Sequence, residues 1–199
     1  MKRKEFFSIP RITRIAVLAA VAFVLMFFEF PLLFIAPNFY KLDFSELPVI
    51  IGGFAMGPLA AVVIELLKIL LKLLFRGTST AFVGEFANFV VGCAFALPAS
   101  ALYFRKKCKA QALKGLLLGS LCMALAGFLL NLYVVIPAYV NIMGFPLEAI
   151  ISAGAAIFPA VDSVFMLVLL CTTPFNLIKA ALLSVLTLLL YKHVSPLLH

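Results

Sequence analysis

The chain is 199 residues long, with 65% of them in the hydrophobic set, a mean hydropathy of +1.21 and only 12% charged residues. A soluble domain carries roughly twice that charged fraction, spread as a polar shell over its core, so a water-soluble fold is excluded and the chain reads as an integral membrane protein. At about 20 residues per crossing, this length holds about six or seven helices and no sizeable aqueous domain. An ATPase, kinase or nucleic-acid module would have to come from a partner.

The net charge of +8 is read from its distribution. Lys2, Arg3, Lys4, Arg11 and Arg14 precede the first apolar run, Arg105, Lys106, Lys107, Lys109 and Lys114 lie between two later ones, and Lys192 follows the last. Under the positive-inside rule these are cytoplasmic flanks facing membrane lipid, and they give no reason to invoke nucleic acid. No A-x-A cleavage site follows the first apolar stretch, which is therefore expected to be a retained helix and not a signal peptide.

The first helix is predicted over about 13–30, stopping at Pro31 and followed by a polar outer loop with Pro37, Asn38, Tyr40, Lys41 and Asp43. The second, 45–57, is short and broken at Gly57-Pro58, and the third follows over 58–75. A small outer loop leads to the fourth helix, 82–104, the RKKCK run forms an inner loop, and the fifth helix spans 113–137. The apolar stretch from Pro146 to Tyr191 is too long for one span. Two full crossings there would leave Lys192 and His193 outside, so one is expected, beginning at Pro174 as a favourable N1 residue and covering 174–191. Residues 146–173 then form a long outer connection with short helical or re-entrant pieces, buried against protein. The expected fold is all-α: one membrane-embedded domain over 1–199, a bundle of six transmembrane helices with both termini cytoplasmic.

Polar residues inside the spans are candidates for function, because an ionisable group at membrane depth costs several kcal/mol unless paired or hydrated. Seven of the eight acids, Glu29, Asp43, Glu46, Glu65, Glu85, Glu148 and Asp162, lie within spans or toward the outer side, and the eighth, Glu5, lies in the basic tail. Glu65, Lys68, Lys72 and Arg76 share one face of the third helix. They form either an internally neutralised stripe, with Lys72 and Arg76 snorkelling outward, or direct ligand contacts. Asn176 and Lys179 lie one turn apart at the expected start of the last helix, where an amide and an ammonium can address the edge of a planar polar ring, or can merely satisfy the neighbouring loop. Asn88 and Asn131 are isolated amides, each open to an interhelical or a ligand role. Ala16 and Ala20, with Ala19 and Ala22, make a small-residue face on the first helix.

Cys93, Cys108, Cys122 and Cys171 have no metal or disulfide spacing, and His193 and His199 lie in the tail, so no metal site is expected. No phosphate loop, HExxH or Ser/His pair occurs.

The pieces Lys41-Leu42-Asp43-Phe44-Ser45-Glu46-Leu47-Pro48, Gly52-Gly53-Phe54-x-x-Gly57-Pro58, Glu65-Leu66-x-Lys68, Gly84-Glu85-x-Ala87-Asn88-Phe89 and Pro174-Phe175-Asn176-Leu177-x-Lys179 resemble the riboflavin-specific S component of energy-coupling factor (ECF) vitamin transporters, over almost the whole chain. The resemblance implies a substrate-binding subunit without its own ATPase, in the bacterial plasma membrane, that captures riboflavin as a transported ligand and not as a cofactor. It implies partners too: a transmembrane coupling subunit (T component), docked on Ala16 and Ala20, and two cytoplasmic ATPases. Its ligand contacts map to Asn131, Asn176 and Lys179, with Leu42, Asp43, Phe44, Glu46 and Asn88 as further candidates, and the loop from Pro31 to Ser45 as a cap. The flavin ring suits these residues, having an apolar end and a pyrimidine edge with two carbonyls flanking an N–H. A carboxylate-bearing vitamin such as biotin would also suit Lys179. A membrane-embedded lipid-modifying enzyme using Glu65 and Lys68 is the alternative from a different class, although no Mg²⁺-type acid pair or nucleophile accompanies them.

Overall fold

The computed structural model describes residues 8–198. Lys2, Arg3, Lys4 and Glu5 of the basic flank lie outside the described residues, as do His199 and the side chains of Lys192 and His193. The first helix, α1 (Ile9–Leu25), opens with Pro10, whose missing N–H costs nothing in a first turn. It starts and ends earlier than the expected 13–30. Beyond Met26 the chain leaves the helix because Phe30–Pro31 (β1) pairs antiparallel with Lys41–Leu42 (β2), Phe30 opposite Leu42, and this two-rung ladder claims the residues that the apolar run assigned to the helix end.

The next helix, α2 (Glu46–Met56), is buried along its whole length, and its apolar character all round fits a central position. It packs on α1, α3, α4 and α7. The break before α3 (Pro58–Arg76) falls where the sequence puts it: Gly57 has φ +97°, a conformation open to glycine, and Pro58 starts the new helix. The following helix, α4 (Val83–Arg105), lies against α5, a continuous apolar helix over Lys109–Asn141 that extends beyond the expected 113–137 at both ends. Residues 147–155 form a short helix, α6 (Leu147–Ala155).

The last long helix, α7 (residues 164–198), begins ten residues before Pro174, which corrects the expected start at 174. Proline inside a helix removes one hydrogen bond and pushes its ring against the carbonyl four residues back. Here the turn before it widens into a π-turn, Val168–Thr172, and the Thr173 hydroxyl donates to the Val168 carbonyl at 3.1 Å, so the helix runs through the proline. In α5 the same device precedes Pro137, with a π-turn at Asn131–Val135. The two π-turns touch each other.

Among the described residues, three helices are long and apolar enough to cross a membrane: Val83–Arg105, Lys109–Asn141 and Val164–Tyr191. At 17 and 11 residues α1 and α2 are shorter, and α3 carries the Glu65, Lys68, Lys72, Arg76 stripe. One apolar core joins α1 to α5 with α7, and a second joins the first loop, Ile136, the Val168–Thr172 π-turn and α6, with Phe44 touching both.

Candidate functional site

A cavity of about 270 Å³ lies among α4, α5, α7 and the first loop. Gly84, Ala87, Asn88 and Val91 line it from one face of α4, at helical spacing, while Met123, Asn131 and Val135 come from α5, and Phe175, Asn176 and Lys179 from α7. Phe39, Tyr40 and Lys41 enter from the loop, and Glu46 from the start of α2. The walls are mostly apolar, with polar groups at a few points, which is the make-up of a small-molecule site.

Two of the amides are fixed by one glycine. Asn131 Nδ2 donates to the Gly127 carbonyl at 2.8 Å, and a Cβ on Gly127 would lie 2.3 Å from Asn176 Nδ2, so only glycine lets the Asn176 amide lie against α5. Asn176 Nδ2 in turn donates to the Thr172 carbonyl at 3.0 Å, an acceptor in the π-turn. The Asn131 Oδ1 accepts from the Tyr40 hydroxyl at 2.9 Å, and the Thr172 hydroxyl donates to Tyr40 at 2.7 Å. Tyr40 thus ties the first loop to both π-turns, with its ring 5.8 Å from that of Phe175. Burial pushes the Tyr40 hydroxyl well above its ordinary value, so it stays a neutral donor.

Beside the amides lies a buried ionic cluster. Lys179 Nζ is 3.1 Å from Asp43 Oδ2 and 3.1 Å from Glu46 Oε2. Lys68 Nζ is 2.7 Å from Glu65 Oε1 and 3.5 Å from Glu46 Oε1, and it donates to the Ser45 hydroxyl at 3.1 Å. Glu46 is therefore shared by two lysines from two helices. Burial would raise the Asp43 carboxyl, but the Lys179 and Lys68 ammonium groups and the Ser45 N–H outweigh it and hold it at about 2. Glu65 fits against α4 because Gly92 has no Cβ, which would fall 2.5 Å from Glu65 Oε1. Further along the stripe, Lys72 pairs with Glu85 at 2.6 Å, and Arg76 with Glu29 at 3.6 Å, where Lys41 also pairs at 2.9 Å. The stripe is thus matched acid to base, within itself and by partners from other segments, and the Ser45 hydroxyl beside Lys68 is fully buried and does not line the cavity.

The family model for the substrate-specific component of ECF transporters matches residues 10–191. The chain belongs to this family. It is 34% identical over 190 residues to the riboflavin transporter RibU of Staphylococcus aureus, covering 93% of this chain and 90% of the relative. It is 30% identical over 191 residues to the riboflavin transporter FmnP of Bacillus subtilis, covering 95% and 94%. A solved structure of the S component of a bacterial ECF transporter superposes with a TM-score of 0.71 at 32% identity, over 94% of this chain and 96% of that one. This S component is a multi-pass integral protein of the bacterial plasma membrane and a substrate-binding subunit, not an enzyme.

Of the candidates from the sequence, Asn88, Asn131, Asn176, Lys179 and Glu46 line the cavity of this S component. Leu42, Asp43 and Phe44 do not: Leu42 is in the second core, Phe44 packs between the cores, and Asp43 stands behind Lys179 as its counter-ion. Ala16 and Ala20 are exposed on the outer face of α1, whereas Ala19 and Ala22 are buried in the bundle. Sequence reasoning missed Tyr40, Gly127 and Thr172 as organisers of the site. A tyrosine amid the polar loop was the one visible signal among them.

Proposed function

We propose that this S component captures riboflavin in the cavity among α4, α5 and α7 and delivers it to an ATP-driven coupling module. The observation that carries the reading is the gathering of Asn131, Asn176 and Lys179, with Glu46, on a cavity whose other walls are mostly aromatic and aliphatic. The relatives' printed activity, riboflavin transport, supports the same ligand. In the free protein Asn176 Oδ1 accepts no hydrogen bond from a described residue, so it is available to the N–H of the pyrimidine edge, while the ring's dimethyl end lies among Phe39, Val135 and Phe175. Asp43 and Glu46 hold the Lys179 ammonium in position for the ring carbonyls.

The bundle crosses the membrane six times, through α1, α2, α3, α4, α5 and α7, with both termini cytoplasmic and the cavity toward the outside. The basic 105–109 loop supports that orientation. The exposed Ala16 and Ala20 face receives the transmembrane coupling subunit, which two cytoplasmic ATPases drive. Purified protein should be yellow with flavin fluorescence, or should quench added riboflavin at a one-to-one ratio. Protein that neither carries flavin nor binds it, while retaining another vitamin such as biotin, would overturn the riboflavin reading.

A further inference from the structure

Asn88 differs from the other cavity amides. Asn131 uses both of its amide atoms on Gly127 and Tyr40, and Asn176 uses its nitrogen on Thr172. Asn88 lines the cavity from α4, yet it makes no hydrogen bond with any described residue, and its Oδ1 is buried without a partner. Bonding across helices, the common use of an isolated amide in a membrane bundle, is therefore not its role. Its acidic neighbour one turn earlier is also engaged: the Glu85 carboxylate accepts from Lys72 at 2.6 Å and from Thr78 and Thr80 at 2.9 Å each. The rest of its face, Gly84, Ala87 and Val91, has no polar side chain. A buried polar atom is seldom left unpaired in a folded protein, and the half-buried Asn88 turns its unpartnered Oδ1 to a cavity where a ligand can supply a donor.

The chemistry of that partner follows from the amide itself. The terminal torsion of asparagine is broad and lets the group present either its oxygen or its nitrogen. A hydroxyl, both donor and acceptor, satisfies either end, whereas a ring carbonyl or a ring N–H satisfies one. If the pyrimidine edge of the ligand is held from α7 by Asn176 and Lys179, the polar groups left over on riboflavin are the ring nitrogens N1 and N5, which only accept, and the hydroxyls of its ribityl chain, which alone can donate to the unpartnered Oδ1. We propose that Asn88 hydrogen-bonds a hydroxyl of the ligand's polyol chain and is the residue by which the cavity prefers a flavin with that chain to the bare ring. This rests on the riboflavin reading above.

The test compares riboflavin with lumiflavin, which has the ring and no polyol, by fluorescence quenching in detergent. Asn88→Leu keeps the branched heavy-atom skeleton of the side chain and removes both hydrogen-bonding atoms. Riboflavin affinity should fall by about five- to a hundredfold, with lumiflavin affinity within twofold of wild type, and the retained lumiflavin binding would itself report a folded site. In the same assay Asn176→Ala should lose both ligands to a similar factor. Equal losses of both ligands in Asn88→Leu, or no loss of either, would overturn the assignment and leave the riboflavin reading standing. Wild-type protein that binds neither flavin would sink that reading and this inference with it. Should Asn88→Leu fail to fold, wild-type protein is titrated with flavins lacking one chain hydroxyl at a time. A step of fivefold or more at one hydroxyl is expected, and the absence of any step would overturn the proposal.

Discussion

Replacing Gly127 by alanine should separate the stability of this S component from its affinity. The new Cβ would lie 2.3 Å from Asn176 Nδ2 and 3.0 Å from its Cγ, whereas ordinary contact begins near 3.4 Å, so the amide must retreat by about 1 Å. Its bond to the Thr172 carbonyl is 3.0 Å long and would be lost by such a shift, and the Asn176 oxygen would leave its place on the cavity wall. A misplaced amide contact costs about 1–3 kcal/mol of binding, or about fivefold to more than a hundredfold in affinity. Stability has opposing terms: alanine in a helix interior gains about 1 kcal/mol over glycine, and overpacking costs about 1–3 kcal/mol. The melting temperature of ligand-free protein should therefore change little while riboflavin binding, followed by fluorescence quenching in detergent, collapses. The Asn131 contact is with the Gly127 backbone carbonyl and survives the substitution. Riboflavin affinity within twofold of wild type in Gly127→Ala would show that Asn176 does not touch the ligand.

Ala16→Trp or Ala20→Trp adds bulk on the exposed face of α1, away from the cavity-lining residues, and should leave riboflavin binding intact while abolishing uptake into cells with the full coupling complex. Loss of binding by folded protein would refute the docking role. Native Cys108, in the basic 105–109 loop, should resist an impermeant thiol reagent applied to intact cells, whereas a cysteine placed at Asn38 or Gly144 should react; the reverse pattern would invert the topology. In the buried cluster three carboxylates, Asp43, Glu46 and Glu65, face two ammonium groups, Lys68 and Lys179. Lys68→Met strands Glu65, leaves Glu46 to Lys179 alone and should destabilise the protein by about 3–5 kcal/mol, while Glu65→Gln relieves an excess of negative charge and should be tolerated. Thermal melts in detergent that rank the two variants the other way would refute this account of the cluster.

The long helices were legible in the sequence because apolar runs bounded by basic clusters and by Gly57-Pro58 carry local physics. Misreadings came where a local signal met a distant partner. Pro31 looked like the stop of the first helix, but the helix ends at Leu25 because Phe30 is committed to a ladder with Leu42, a pairing that local propensity does not encode. Pro174 read as a helix start for a sound reason, since proline favours the first turn, yet a π-turn lets it stand inside a helix already under way. Lys179 was legible as a site residue, but not its counter-ions: Asp43 and Glu46 are 136 and 133 positions away in the chain. Gly127 was invisible because the value of a missing Cβ appears only when another helix arrives against it.

The prolines inside α5 and α7 point to a physical reason for the location of the cavity. A π-turn leaves one extra residue in the helix, widening it and turning the side chains that follow. In this S component one π-turn begins at Asn131 and the other ends at Thr172, and the two touch. Asn131 and Thr172 are the residues that Tyr40 joins, and the Thr172 carbonyl is the one that Asn176 holds. Pro137 and Pro174 each lack an N–H and crowd the carbonyl four residues back, which favours an irregular turn behind them at one level of the bundle, although Pro98 stands in α4 without one. Two regular helices packed at that level would interdigitate and close the space. The prolines thus do more than interrupt hydrophobic runs: they hold α5 and α7 out of regular register beside the residues that bind, so that a membrane helix pair keeps an opening lined by amides where a continuous apolar seam would otherwise form.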